Sequence, residues 1–441
     1  MMADQTSSFN IKAVIRETGL NAETLRAWER RYGLPKPERT PGGHRLYSLH
    51  DIQILNWLTE RQKGGMSISR AVELWRSLVS GGQDPLLTYV SQPQQSVGLS
   101  GAMLDNLCLD WVNACLDFDE RAAEQVLTQA FGIYSPEVVC SGLIQKGLAI
   151  IGNKWYEGSS SVQQEHFASA LAMRRLQNLA VAAPIPNRPG RILAVCPAGE
   201  QHEFGLLLLT VLLRRRGWEV VYLGTNVPIM RLDSTLRTVK PFLTISVAQT
   251  LPSAAALKQL GEFLADQDVL MAYGGGIFNT LPSAQNSIPG YFLGLDFIEA
   301  TETVKRLWDV KPHLQHPQPL SPEYELAQKL FLELHPYIEI YVTKKMEQEA
   351  VQLTHLEFAI SAIQQHVEAA LALGDINLVG NSIQLIERSL RNYGWTKGLF
   401  SRLLDVYWQA IGTHLPIEDQ AIFSKLAELF YKQTILTFHE Q

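Results

Sequence analysis

Cysteine is scarce in this chain: four residues in 441, at Cys108, Cys115, Cys140 and Cys196, with no Cys-x-x-Cys pair. That scatter argues against a disulfide frame or a cysteine-ligated zinc site, and reads as reduced thiols in a core. No uncharged apolar run reaches the ~18 residues of a membrane span. The opening MMADQTSSFN lacks the basic stretch and apolar core of a secretory signal, so a cytoplasmic protein with no membrane partner is expected. A net positive charge is missing as well. The chain carries −6 at neutral pH, so any nucleic-acid surface has to be local. A P-loop, a nucleophile–base pair and a metal-ligand cluster are also lacking, which points away from an enzyme.

What is present is ordinary globular composition, 46% hydrophobic and 19% charged, in a chain long enough for about two to four domains at ~100–200 residues each. Residues 9–80 read as short helices plus a hairpin. Ile11, Val14 and Ile15 are spaced for a helix that Thr18-Gly-Leu-Asn breaks. Asn21 caps a second helix, AETLRAWERRYG, ended by Gly33 before Pro35. ERTPGGHRLYS then makes two strands joined by a two-residue turn at Gly42-Gly43. Ser48 with Asp51 opens a third helix as a capping box, and MSISRAVELWRSL forms a fourth. The Gly/Pro/Gln-rich residues 81–98 read as a linker.

Residues 99–182 have the spacing of a four-helix bundle. From 190 to 310, RILAVCP, EVVYLG, FLTISVA, DVLMAYGG and YFLGLD alternate with helical patterns, which predicts a doubly wound, five-stranded parallel sheet. A Pro/His-rich linker (311–322) precedes more helix at 323–441. There LALGDINLVGNSIQLIERSL and LLDVYWQAIGTHL echo LDFDERAAEQVL and LIQKGLAIIGNKW of the first bundle, with Leu415 where Trp155 stands. Duplication and chance similarity of amphipathic helices both account for that echo.

Between Ile11 and Arg45 lie eight basic residues against four acidic ones, a local +4 in a negative chain. Arg26, Arg30 and Arg31 sit on the second helix, and Arg39, His44 and Arg45 on the hairpin. A basic helix for the major groove beside a wing for the phosphate track is a duplex-binding footprint. TLRAWERRYGL followed by RTPGGHRLYS resembles the MerR-family winged helix-turn-helix. That resemblance implies binding to double-stranded promoter DNA as a dimer. The coiled coil by which such proteins usually dimerise has no heptad run here.

The stretch VCPAGEQHEFGLLL places Glu200, His202 and Gly205 in a loop after the first strand of the parallel sheet, where such folds bind ligands. A neutral imidazole ligates metal, and a carboxylate two residues away fixes its tautomer through the other ring nitrogen. Glycine permits close approach of a bulky ligand to the backbone. The pattern resembles the acid-x-His-x-x-Gly signature of cobalamin-binding domains, with Glu in place of the more usual Asp. The resemblance implies that His202 is the axial cobalt ligand, and that Ser246, Gly274 and Gly275 line the pocket for the nucleotide tail. Ala248 stands where that family usually has Leu.

In the bundle, Trp155 is followed after nine residues by Glu165-His166. Trp offers a flat apolar lid, and Glu and His offer polar contacts to a ribose or purine. Head, bundle and sheet together resemble the CarH/LitR-type photoreceptor regulators, which implies adenosylcobalamin, a homo-oligomer (dimer or tetramer) and release of DNA on illumination. Tyr156 follows Trp155 where a His would supply a second cobalt ligand, so the light response stays open. Two alternatives remain: a regulator of the same architecture that answers to another ligand or a protein antagonist, and a corrinoid methyl-carrier subunit, against which the DNA-binding head argues.

Overall fold

A computed structural model describes residues 9–18, 20–39, 43, 45–63, 68–80, 100–315, 319–347, 353–416 and 420–436. The chain divides into two compact units, Met1–Gly101 and Ala102–Gln441.

The first unit runs β1 (Phe9–Asn10), α1 (Ile11–Thr18), α2 (Ala22–Tyr32), β2 (Glu38–Arg39), β3 (Arg45–Tyr47), α3 (Leu49–Lys63) and α4 (Ile68–Ser80). Asn21 Oδ1 accepts from the Thr24 amide at 2.7 Å, which caps α2. The Asp51 amide donates to Ser48 Oγ at 3.1 Å, and the Ser48 amide returns a bond to Asp51 Oδ2 at 2.9 Å, the expected reciprocal cap of α3. β1 is an unanticipated third strand, paired antiparallel with β3. The two-residue turn at Gly42-Gly43 is corrected. Arg39 pairs with Arg45, a register centred on residue 42, so the connection holds an odd number of residues. Gly43 has φ 78°, as the longer hairpin loops require. Gly42, His44 and the linker 81–98 lie outside the described residues. Trp28, Trp57 and Trp75 are buried in the core, the last two edge to face at 5.2 Å.

The second unit begins with α5 (Ser100–Leu116), α6 (Glu120–Ile133), then α7 (Pro136–Val139), a π-helical turn at Cys140–Gln145 and α8 (Lys146–Tyr156), and finally α9 (Val162–Val181). With α7, the turn and α8 as one rod, these are the four expected bundle helices. Their core holds Cys108, Trp111, Cys115 and Cys140, and all four cysteines of the chain are buried and free. Gly147 makes room for the indole, since a Cβ there would lie 2.6 Å from the Trp111 ring.

The α/β part follows as β4 (Arg191–Pro197), α10 (Phe204–Arg215), β5 (Glu219–Val227), α11 (Leu232–Val239), β6 (Leu243–Val247), α12 (Leu251–Asp266), β7 (Met271–Gly274), α13 (Gly276–Thr280), β8 (Tyr291–Phe292) and α14 (Phe297–Val310). All pairings are parallel, in the order β5-β4-β6-β7-β8. The chain reverses its direction of sheet growth between β4 and β6, and ligands of such sheets bind beyond the strand ends at that reversal. Ile192, Ala194 and Ile245 pack with α10 and α14, whereas Leu193, Val195 and Tyr273 pack with α12 on the other face. The bundle rests on α10: Leu207, Leu208, Val211 and Leu212 belong to the bundle core. Arg214 Nη1 donates to Ala180 O at 3.2 Å, and Arg215 Nε meets Glu137 Oε1 at 3.0 Å.

The C-terminal helices are α15 (Pro322–Glu347), α16 (Leu353–Leu373), α17 (Gly380–Asn392), α18 (Lys397–His414) and α19 (Ala421–Leu436). They share one continuous core with the α12 face of the sheet. The turn after α16 repeats the turn after α5. The Asp119 amide donates back five residues to Ala114 O at 2.8 Å, and the Asp375 amide does so to Ala370 O at 3.1 Å. The preceding residue has positive φ in both (Phe118, 56°; Gly374, 76°); the Asp119 side chain then caps α6, and the Asp375 side chain caps a 3-10 turn, Ile376–Val379, that leads into α17. Among the described residues no helix is long and apolar enough to cross a membrane.

Candidate functional site

The loop leaving β4 is held from several sides. Glu200 is buried, and Oε1 accepts from the His202 amide and from His202 Nδ1, each at 2.7 Å. Oε2 accepts from the Gln249 amide at 2.7 Å. Burial alone would raise the pKa of this acid. The bonds from His202 and Gln249 outweigh it and hold the carboxyl below its usual range. His202 is shifted the other way, first by its bond to Glu200, with the charge of Glu165 adding to it. Its side chain is 67% exposed. Nδ1 is therefore committed to an anchored carboxylate, and Nε2 faces outward with its tautomer set, the arrangement of a metal-ligating His with its supporting acid.

Residues that the sequence reading missed complete this support. Asn226 Oδ1 accepts from the Gly199 amide at 2.9 Å, and its amide donates to Glu200 O at 3.1 Å, so the end of β5 steadies the loop. Gln249 Oε1 accepts from the Gly276 amide at 2.8 Å, joining the loops after β6 and β7. Tyr222 donates a short hydrogen bond to Glu203 beside His202. None of these residues belongs to a spacing pattern; each matters only because strands adjacent in the sheet bring their ends together.

The tail-pocket candidates divide by cause. Ser246 is fully buried on β6, and its Oγ has no hydrogen-bond partner among the described residues. A buried unpaired hydroxyl costs about 1–3 kcal/mol, which a ligand that hydrogen-bonds it would recover. Gly205 has only ordinary contacts at 3.9 Å to Gln249 and Phe297 where a Cβ would stand, so protein packing does not demand glycine there. Gly274 is similar, at 3.8 Å from Leu293. Gly275 is different: its φ is 121° and a Cβ would lie 2.0 Å from Ala248 O. Gly275→Ala is therefore expected to destabilise the domain by at least ~1–3 kcal/mol from backbone strain alone, read as a lowered midpoint in thermal melts followed by circular dichroism.

The bundle brings its own candidates together. Trp155 and Tyr156 end α8, with ring centroids 4.8 Å apart. Ser161 and Gln164 form a capping box that starts α9. That start fixes Glu165, which accepts from Ser169 Oγ at 2.6 Å and pairs with His166 Nδ1 at 2.8 Å. The His166 side chain is 74% exposed. Burial and the charge of Glu165 both push the Tyr156 hydroxyl upward. The charge of Glu165 thus acts on both Tyr156 and His202.

In the first unit, Arg26, Arg30 and Arg31 are exposed on α2. Arg45 Nε bonds Glu29 Oε2 at 2.7 Å and Arg39 Nη2 lies 3.7 Å from Glu29 Oε1, so one helix carboxylate ties down both described wing arginines. His44 lies outside the described residues.

Residues 9–78 match the MerR HTH family regulatory protein model, and residues 109–179 match the B12 binding domain model. The chain is thus a regulator built from a MerR-type DNA-binding head and a B12-binding domain, and not an enzyme. It belongs to the family of the HTH-type transcriptional repressors CarA and CarH. CarH of Myxococcus xanthus is 31% identical over 246 residues, 54% of this chain and 78% of that protein. CarA of Myxococcus xanthus is 29% identical over 305 residues, 68% of this chain and 96% of that protein. The Methanosarcina barkeri monomethylamine corrinoid protein, a solved structure, is 17% identical at a TM-score of 0.40, covering 46% of this chain and 99% of that chain.

Proposed function

We propose that this regulator senses adenosylcobalamin and changes its oligomeric state and its grip on promoter DNA when light reaches the bound cofactor. The observation that carries this reading is the Glu200–His202 pair, an anchored carboxylate holding an exposed imidazole, together with a buried Ser246 hydroxyl on β6 that has no partner among the described residues. His202 Nε2 would hold cobalt, and Ser246, Gly205 and Gly274 would accommodate the nucleotide tail. When bound, adenosylcobalamin supplies a cobalt–carbon bond that light cleaves. Trp155 would cover the bound cofactor, and Glu165 and His166 would hydrogen-bond the adenosyl ribose or base. Those contacts fasten bundle to sheet and favour one grouping of protomers; losing them favours another. Two heads on one operator bind far more tightly than one, so a change of grouping becomes a change of occupancy.

The test is size-exclusion chromatography of full-length protein with adenosylcobalamin, in the dark and after illumination, with spectra taken on the eluted peak. The expected outcome is a corrinoid spectrum on the protein and a larger mass in the dark than in the light. A corrinoid spectrum with no change of mass would favour a second reading, a cobalamin sensor without a photoswitch. Tyr156 favours that reading: a phenol packed on Trp155 is a weak cobalt ligand beside imidazole.

A further inference from the structure

The 305 residues aligned with CarA leave about a third of this chain without a counterpart there. The C-terminal helices do not hang from the regulator on a free tether. Lys258 of α12, 7% exposed, donates from Nζ to Ala372 O at 2.7 Å, and Ser287 Oγ donates to Leu373 O at 2.6 Å. Those carbonyls end α16, where a helix leaves acceptors unsatisfied and its dipole favours a cation. Around them α12 and α16 share apolar core, including Leu257, Leu260, Val367 and Ala370.

A few residues further on, α17 packs against α8, the helix that ends in Trp155 and Tyr156. The extension therefore touches both the α/β domain, through α12, and the bundle, through α8. The contact between those two through α9 and α10 involves other elements. The extension itself repeats the bundle's turn geometry but is sealed: Leu415 is buried where Trp155 is half-exposed, and Tyr407 is fully buried.

We propose that α15–α19 are a second, ligand-less copy of the bundle that serves as a strap, pinned on α12 and pressing α17 against α8, so that cofactor entry and exit require α17 to release the Trp155 end of the bundle. This rests on the cobalamin reading for its ligand, while the strap contact itself is judged separately. A strap that restrains opening slows binding and release alike and leaves the coordination at His202 unchanged.

The test uses full-length protein carrying Lys258→Met and Ser287→Ala together, with hydroxocobalamin as the probe. Hydrogen exchange is expected to rise in 380–392 and also in 146–156, and both uptake and release of the corrinoid to quicken about 30-fold or more, the scale of losing a charge-assisted and a neutral hydrogen bond. Ser287→Ala alone gives the same changes at smaller size, which separates loosening from misfolding. Faster exchange in 380–392 with unchanged exchange in 146–156 would overturn the strap, as would unchanged corrinoid rates. If the wild type takes up no corrinoid, the cobalamin reading falls, and exchange in 146–156 still decides whether α17 restrains α8.

Discussion

His202→Ala is expected to leave a folded protein that no longer shows an imidazole-coordinated corrinoid spectrum, with hydroxocobalamin affinity reduced more than about 100-fold. The fold tolerates the change because the side chain is 67% exposed and the residue 202 amide keeps its own bond to Glu200, although the buried carboxylate loses its ring donor. The thermal midpoint should therefore fall only modestly, by about 1 kcal/mol in stability. Glu200→Gln is expected to behave differently. That carboxylate is 1% exposed and accepts bonds from the His202 ring and two backbone amides. An amide there turns one acceptor into a donor facing other donors. Stability should fall by ~1–3 kcal/mol and corrinoid affinity by about 10–100-fold together. Spectral titration and denaturant unfolding of both variants separate ligand from support. Wild-type corrinoid uptake by the His202 variant would remove cobalt from this loop and the cofactor reading with it.

Much of this architecture is legible in the sequence because its signals are local. Asn21, Ser48 with Asp51, and the alternation of short apolar runs with helical patterns each declare an element within a few residues, and the observed helices and five strands follow. Motif spacing likewise placed Glu200 beside His202 and Glu165 beside His166, since each pair sits within one loop or one helical turn. What stayed hidden is set by tertiary contact. Asn226 and Gln249 reach the β4 loop from the ends of β5 and β6, and nothing near them in sequence marks that role. The hairpin register escaped for a related reason. Two adjacent glycines fit a two-residue turn, but β3 also has to pair with β1 on its other edge, and the register that satisfies both is centred one-half residue away. The docking of the C-terminal helices, through Lys258 and Ser287, carries no sequence signature at all.

Glu29→Gln is expected to lower the ratio of specific to non-specific DNA affinity about tenfold or more, although it makes the head more positive. Two effects oppose each other. Removing a carboxylate releases Arg45, now held at 2.7 Å, and Arg39 at 3.7 Å, and freed cations strengthen sequence-independent attraction to phosphate. The same carboxylate, however, orients the wing against the recognition helix, so that α2 and β3 present their charges in one register. Losing that preorganisation adds the ordering of two long side chains, at ~0.5–1.5 kcal/mol each, to the formation of the specific complex alone. Non-specific binding demands no such register, so it gains while specific binding loses. Titrations of operator and random duplexes across a salt series would read both terms: the random-duplex affinity should rise, and the operator affinity should fall towards it. An operator affinity that rises in step with the random one would show that Glu29 merely neutralises the wing, and that the head recognises its site without a fixed link between helix and hairpin.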